Sequence, residues 1–510
     1  MLQCSTRAER LGKASLTTLQ NMSEAQRASA RPIDIHYWWV MALIIAVIAC
    51  GLVSPVLMLT HRVPLDPNEG WNAYFSRIAM AGGNLYPAGD LVTNTYPPVS
   101  FFVVGIAGLL TADNILAGRI IALLAVLIVA LNLYLWLRAT GAALRIALLG
   151  GAIFLAFAVT YGQTYVAMDD PQWLAHAIMT TGLVVLWRGR ASTRAIVAAS
   201  VLMVAAGLTK HLLFPVPIAV TFWLMIRSRH ALVTWIVSGS VVAALSVLFL
   251  WLAYGSVFFT SLLTARVYYP HRSWVESAVA LRCFAPLLGL SLVLCLGERS
   301  ERSAFIAAYL VVAAVVGAFA SGGAGLDVNA FFDLLIASSL GAALAIDLLW
   351  SGRLDSRLGG KSTLGYRLAP LALVLLGICT GAYALTKAPY AIASIRNLSA
   401  LDAATSAYIG EIRTHGQGKA ACEMLELCYW ADNTFNIDLF TYGQKVATGA
   451  LPAASCASVF RNTSIPLIQL QTVDRRGVAL LPEQCQRIID ANYRALANSD
   501  LGVLLLSRTP

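Results

Sequence analysis

The stretch Pro97-Pro98-Val99-Ser100-Phe101-Phe102-Val103-Val104-Gly105-Ile106-Ala107-Gly108-Leu109-Leu110 contains no charge. It is shorter than the roughly 20 residues that a helix needs to cross a bilayer. Whether it spans decides which loops share a side of the membrane. Leave it out, and the other loops fall into two sets. One set carries Arg138 and Arg145, then Arg188, Arg190 and Arg194, then Arg227 and Arg229, then Arg299 and Arg302, then Arg353, Arg357, Lys361 and Arg367. These loops are short and basic, which places them in the cytoplasm. The other set comprises 60–113, 163–170, the Lys210 turn, 255–276, 322–328 and everything after 387. Counting 97–110 as a span switches the early loops and leaves the later ones ambiguous.

The expected architecture is therefore a polytopic α-helical membrane protein with about eleven spans and the N-terminus inside. The spans fall near 38–59, 114–137, 144–162, 171–187, 194–209, 211–226, 231–254, 277–296, 303–321, 329–350 and 368–386. Segment 97–110 becomes a juxtamembrane helix on the outer face. Lys210-His211 leaves almost no loop between two runs. It marks either a tight hairpin or a break in one long helix.

Composition agrees. The chain has 510 residues, of which 58% are hydrophobic and 12% charged, against about 25% charged in soluble domains. So few charges cannot cover a water-facing surface. The net charge of +10 resides in the basic loops, and no Arg/Lys run is interleaved with aromatics, which argues against nucleic acid as a partner. Residues 1–37 read as a disordered cytoplasmic tail ahead of an uncleaved signal anchor.

Beyond residue 386 the character changes. Residues 387–510 are polar and of mixed charge, and are expected to form a small α/β domain outside the membrane, with strands at Ser464–Leu470 and Leu501–Ser507 and a helix over Pro482–Ala497. Of nine cysteines, Cys422, Cys428, Cys456 and Cys485 fall here. An even set in one soluble segment implies two disulfides and an oxidising compartment, with three pairings open.

The residues able to do chemistry cluster in the outer loops. The cytoplasmic loops contain neither GxxxxGK[ST] nor GxGxxG, so nucleotide-driven chemistry has no support there. Asp66-Pro67-Asn68-Glu69-Gly70-Trp71 places two carboxylates at the membrane surface. Either could act as a general base, and the same spacing fits a helix-capping box. Asp169-Asp170-Pro171 pairs two acids whose repulsion raises one pKa, or caps the next helix. Lys210, beside His211, can hold a phosphate as a point charge or snorkel. The loop Arg266 to Trp274 offers arginine for phosphate, with Tyr269 and His271 beside it, or serves as an interfacial anchor. The segment Ser321 to Asp333, with Gly322, Gly323, Gly325, Asp327 and Asn329, could approach a ligand backbone-first or form a plain turn. Asn94-Thr95-Tyr96-Pro97-Pro98 stiffens the entry to the surface helix.

In order and sidedness these motifs resemble the GT-C superfamily of polyprenyl-phosphate-sugar-dependent glycosyltransferases, in particular the branch of protein mannosyltransferases and aminoarabinose transferases. The carrying residues are Asp66-Pro67-Asn68-Glu69-Gly70-Trp71, Gly82-Gly83-Asn84-Leu85-Tyr86-Pro87, Tyr96-Pro97-Pro98 and Asp169-Asp170-Pro171. The likeness covers about 60–386 well and the tail more loosely. It implies an inverting transfer, at the outer face of a bacterial inner membrane, from a polyprenyl-phosphate sugar to a glycan, lipid or protein acceptor.

In the family an Asp of the first outer loop is the base, and acids of the second assist. The family often has adjacent Asp-Glu, whereas this chain reads Asn68-Glu69 with Asp66 three residues earlier. The base is thus Asp66 or Glu69, with Asp169 and Asp170 positioning substrate. Lys210 and Arg266 would stabilise the departing phosphate, while His211, Tyr269, His271, Asn329 and Tyr96 would complete the substrate site. A divalent metal between the acidic loops is compatible with the carboxylates, although no His/Cys cluster accompanies them. The competing class is a lipid or solute transporter or flippase, which needs a site near the midplane. A third class is a non-catalytic scaffold.

Overall fold

The computed structural model describes residues 35–354, 364–461, 465–471 and 480–508. The expected disordered tail falls almost wholly outside the described residues, as do Arg357 and Lys361.

Every apolar run read from the sequence lies on a helix. Among the described residues eight helices are long and apolar enough to cross a membrane: α1 (Ile35–Met58), α4 (Asn114–Ala139), α5 (Leu144–Tyr161), α10 (Arg229–Leu262), α11 (Pro270–Gly297), α12 (Glu301–Ala320), Val328–Trp350, whose α-helical part is α13 (Phe332–Trp350), and Arg367–Arg396 within α14 (Leu364–Arg396). Three apolar helices are shorter: α3 (Val99–Thr111), α8 (Thr193–Gly207) and α9 (Pro215–Arg227). The remaining helices of this region are α2 (Pro67–Met80), α6 (Gln163–Val166) and α7 (Pro171–Arg188).

Helix α13 is the hub. It is buried almost throughout, and its Ser338, Ser339, Gly341, Ala342, Ala343 and Ala345 let neighbouring backbones come close. Ser291 of α11 donates to the Ser338 carbonyl (3.2 Å). Small residues and hydrogen bonds do this work inside a bilayer because lipid tails are as apolar as Leu.

The two loop sets separate to opposite ends of the bundle. At one end Tyr37 donates to the Arg145 carbonyl (2.9 Å), Arg227 to the Arg190 carbonyl (3.4 Å) and Arg302 to the Thr140 carbonyl (3.4 Å), and Arg353 pairs with Glu298 (3.3 Å). The loops holding Asp66, Asp169, Lys210, Arg266 and Asp327 meet at the other end, under the C-terminal unit. Helix α3, of 13 residues, is about 20 Å long at 1.5 Å per residue, short of a ~30 Å hydrocarbon core. It turns Phe101 and Val104 inward and leaves Leu109 and Leu110 bare.

The Lys210-His211 question resolves as a hairpin. Ser200 of α8 bonds Ser238 of α10 (2.8 Å), and Trp235 of α10 donates to Thr221 of α9 (3.0 Å). Both helices thus meet α10 at one level, which two halves of a continuous helix could not do. Helix α10 breaks at Gly255, whose φ of +67° suits glycine.

The C-terminal unit comprises α15 (Leu398–Gly416), α16 (Leu425–Trp430), α17 (Leu439–Ala447), α18 (Ser455–Phe460), α19 (Glu483–Asn492) and a four-stranded sheet of β1 (Ala421–Cys422), β2 (Leu467–Leu470), β3 (Tyr493–Ser499) and β4 (Gly502–Ser507). Strand order is β1-β2-β4-β3. The β1/β2 pair is parallel and the other two pairs are antiparallel. The helix expected to reach Ala497 stops at Asn492. Tyr493–Ser499 instead pairs with β4 across a turn closed by Gly502, a tertiary pairing that overrides local preference. Cys422 bonds Cys428, and Cys456 bonds Cys485.

The unit is held tightly against α2. Tyr74 stacks on Phe435 (4.8 Å between centroids) and donates to the Asn433 carbonyl (2.9 Å). Arg77 lies 4.1 Å over the Tyr429 ring. Trp430 Nε1 donates to Asp113 (3.2 Å).

Candidate active site

A cavity of about 800 Å³ separates the loop end of the bundle from the C-terminal unit. Its bundle side carries Asp66, Trp71, Tyr96, Tyr165, Arg266, Tyr269, His271, Arg272 and Asp327, and its far wall Glu423, Asp438, Phe440 and Gln444.

Asp66 faces this cavity as the N-cap of α2. Pro67 follows, and one carboxylate oxygen, Oδ1, accepts from the Asn68 amide (3.0 Å) and from Asn68 Nδ2 (2.7 Å). Burial pushes its pKa up to about 6. The bond from Asn68 opposes this, and the charges of Asp170, Asp327 and Glu69 add to it. Such a carboxylate is ionised at neutral pH yet basic enough to accept a proton.

Glu69, three residues away, is outside the cavity. It is sealed at 0% exposure. Arg119 of α4 binds it through Nε (2.8 Å) and Nη2 (2.6 Å), and the Asp169 amide donates to it (3.0 Å). The other carboxylate read as a candidate base is thus closed off from the cavity. Asp169 does not line the cavity either. Its carboxyl packs against Gly118, where a Cβ would fall 2.0 Å from Asp169 Cγ, and its Oδ2 has no hydrogen-bond partner. Burial, then the neighbouring Glu69 and Asp170, push its pKa up, and it is closed off at 2% exposure.

Asp170 caps α7 through the Gln172 amide (2.7 Å), and both its oxygens take Lys210 Nζ (3.0 and 3.1 Å). Lys210 is 1% exposed and also donates to Tyr96 OH (3.3 Å). Its charge therefore meets Asp170 rather than the cavity, with Tyr96 between. His211 does not line the cavity. Burial, then Lys210 and Arg266, lower its pKa to about 4, so it is neutral. Arg266 does reach the cavity. It donates to Thr95 Oγ1 (2.9 Å) and the Ala324 carbonyl (3.3 Å), with its guanidinium 5.8 Å over Phe440. Asn329 lies behind the wall, accepting from the Asp327 amide (3.0 Å) and shaping the turn that presents Asp327.

The sequence reading missed several residues. Arg119 had a legible signal, since an arginine inside an apolar run is rarely idle. So did His176, which sits 3.5 Å from Asp333 while Tyr309 donates to that carboxylate (2.6 Å). The far wall and Glu426 had none, because acids in a polar tail carry no periodic mark.

No family model matches this sequence, and no curated protein matches it. Solved structures do share its fold. ArnT from Cupriavidus metallidurans in the apo state aligns with a TM-score of 0.58 at 14% identity, covering 92% of this chain and 97% of that one. The same protein bound to undecaprenyl phosphate gives 0.59 at 14%, covering 92% and 98%. The Archaeoglobus fulgidus oligosaccharyltransferase, tethered to an acceptor peptide containing the NVT sequon, gives 0.51 at 12%, covering 93% of this chain and 74% of that one. At these identities the likeness is one of fold, and it takes in the helices and the C-terminal unit together. The chain is a multi-pass membrane protein that shares the fold of ArnT and of this oligosaccharyltransferase.

Proposed function

We propose that this protein transfers a sugar from a polyprenyl-phosphate donor to an acceptor hydroxyl with inversion at the anomeric carbon. The observation that carries this reading is one cavity lined by both Asp66, with its raised pKa, and Arg266. Asp66 takes the proton of the acceptor hydroxyl. The acceptor oxygen forms its bond to the anomeric carbon as the bond from that carbon to the phosphate oxygen breaks. The electron pair leaves with the lipid phosphate, whose growing charge Arg266 stabilises. Phosphate is a good leaving group, so one base and a cation suffice where a glycosidase needs two carboxylates. Trp71, Tyr96 and Tyr269 provide faces for the sugar.

Lys210 and Asp170 act from behind Tyr96, setting the wall rather than touching substrate. Among the described residues no group of three or more His, Cys, Asp or Glu side chains could hold a metal ion. Glu69 and Asp170 are moreover already paired to cations. The donor set does not fit a metal. In this reading the chain has about eleven spans between a cytoplasmic tail (1–37) and an extracytoplasmic domain (387–510), in a bacterial inner membrane with the cavity outside. Undecaprenyl phosphate, bound by ArnT, is the natural lipid to try first.

The test is turnover in lipid nanodiscs, with radiolabelled undecaprenyl-phosphate sugars and a membrane extract as acceptor. Asp66→Asn should abolish transfer and keep donor binding. No turnover of any donor, with Asp66→Asn indistinguishable from wild type, would move the reading to the transporter class.

A further inference from the structure

The N-cap of a helix leaves its own amide N–H without a helical partner, and in a capping box the side chain three residues on accepts it. Here that residue is Glu69, and Arg119 has taken it. The Asp66 amide donates instead to Glu426 Oε1 (3.1 Å), from 360 residues away in the C-terminal unit. Pro67 has no N–H to offer, so this bond ties the start of α2 at Asp66 to the C-terminal unit.

We propose that Glu426 is a positioning residue for Asp66, resting on the base role given to Asp66 above: the C-terminal unit supplies the acceptor that completes the cap and so aims the base into the cavity.

Two further observations support this. Glu426 is fully buried, and among the described residues its Oε2 has no hydrogen-bond partner. And α2 meets the Glu426 segment backbone to backbone. A Cβ on Gly70 would lie 2.2 Å from both the Glu426 amide nitrogen and the Leu425 carbonyl carbon. That contact admits only glycine and brings the two elements together at the height of Asp66. The charged groups facing Glu426 are Glu69, Asp66 and Arg119. Burial, and after it the Glu69 charge, push the Glu426 pKa up against the pull of Arg119. Its Oε1 accepts the Asp66 amide N–H, a task that a glutamine amide oxygen can also perform.

The experiment compares Glu426→Gln, which keeps the acceptor, with Glu426→Met, which keeps the volume and loses it. Both are measured in full-length protein in nanodiscs with radiolabelled undecaprenyl-phosphate sugars and membrane extract. Glu426→Met should lower kcat by about 100-fold with donor KM unchanged, the scale of a base misplaced by about 1 Å, while Glu426→Gln stays within about threefold of wild type. Adding Glu426→Met to Asp66→Asn should cost nothing more, because the acceptor acts through Asp66. Wild-type kcat in Glu426→Met overturns the inference, as does Glu426→Gln falling as far as Met. If Glu426→Met does not fold, the Gln variant decides alone: near-wild-type kcat supports the acceptor role and a large loss overturns it. Asp66→Asn at full rate would instead overturn the base assignment itself, and the inference with it. An inactive Asp66→Asn beside an active Glu426→Met overturns Glu426 only.

Discussion

Arg119 binds Glu69 with two parallel contacts, Nε to Oε1 at 2.8 Å and Nη2 to Oε2 at 2.6 Å, and its remaining N–H groups reach the Met58, His61 and Val63 carbonyls at 2.9, 3.0 and 2.7 Å. One side chain thus ties the end of α1 and the following loop to α4. It also decides the fate of the acidic motif. Glu69 is neutralised and locked, leaving Asp66 to face the cavity.

Arg119→Met should therefore destabilise by about 3–5 kcal/mol, because it strands a buried carboxylate. Pairing it with Glu69→Gln should recover much of that loss. Arg119→Lys should not rescue, since an ammonium cannot meet a carboxylate side-on and three carbonyls at once. Thermal unfolding in detergent reads all three. Equal unfolding temperatures for the single and double variants would contradict the ion pair as the anchor.

Asp66→Asn should remove transfer and raise stability. The Asp66 carboxyl titrates at about 6 in the folded protein against 3.8 ordinarily. Between those values the unfolded chain has released a proton that the folded one keeps, so stability falls as pH rises from about 4 to 6. Asn keeps the cap and escapes that penalty, worth about 1–2 kcal/mol at pH 7 once screening at the cavity is allowed for. For the wild type, the rate should climb with pH through about 6 as the base ionises. A flat profile from pH 5 to 8 would exclude Asp66 as the titrating group.

Gly70→Ala has no room. Its Cβ would meet backbone rather than a flexible side chain, so α2 and α16 must separate, at a cost of about 1–3 kcal/mol. Limited proteolysis should then release the C-terminal unit faster than in wild type. Unchanged protection would mean that the contact is looser than the geometry implies.

Cys422–Cys428 brackets Glu423 to Leu427, the segment that holds Glu426 against the Asp66 amide. Replacing both cysteines with serine should cost about 2 kcal/mol, as expected for a short loop, and turnover should fall before the helical bundle unfolds. The matching change at Cys456 and Cys485, which joins α18 to α19 away from the cavity, should affect stability more than rate. Equal rate losses for the two pairs would argue against a specific role for the first.

The helices of this protein were legible because membrane spans are local. A run such as 114–137 or 303–321 is apolar on every side, and the bilayer requires a helix wherever such a run occurs. The grouping of Arg145, Arg190, Arg227, Arg302 and Arg353 at one end was legible for the same reason, and the short helix over 97–110 was legible from its length. What the local pattern did not show was the strand Tyr493–Ser499, where a strand partner overrode a helical pattern, and the pairing of Lys210, whose counter-ion lies 40 residues upstream.

The sequence by itself determined that a carboxylate would stand at the mouth of the bundle, because Asp66-Pro67 is a strong helix start and a membrane chain has few acids to spare. It could not say which carboxylate. Asp66 and Glu69 are equivalent in spacing and chemistry until Arg119 and Glu426 are brought beside them from other elements. Those two contacts depend on how α4 and the C-terminal unit dock, and docking follows from packing between distant segments. Only the tertiary structure, by burying Glu69 against a guanidinium and giving the Asp66 amide a partner from the far end of the chain, separated the sealed carboxylate from the one that faces the cavity.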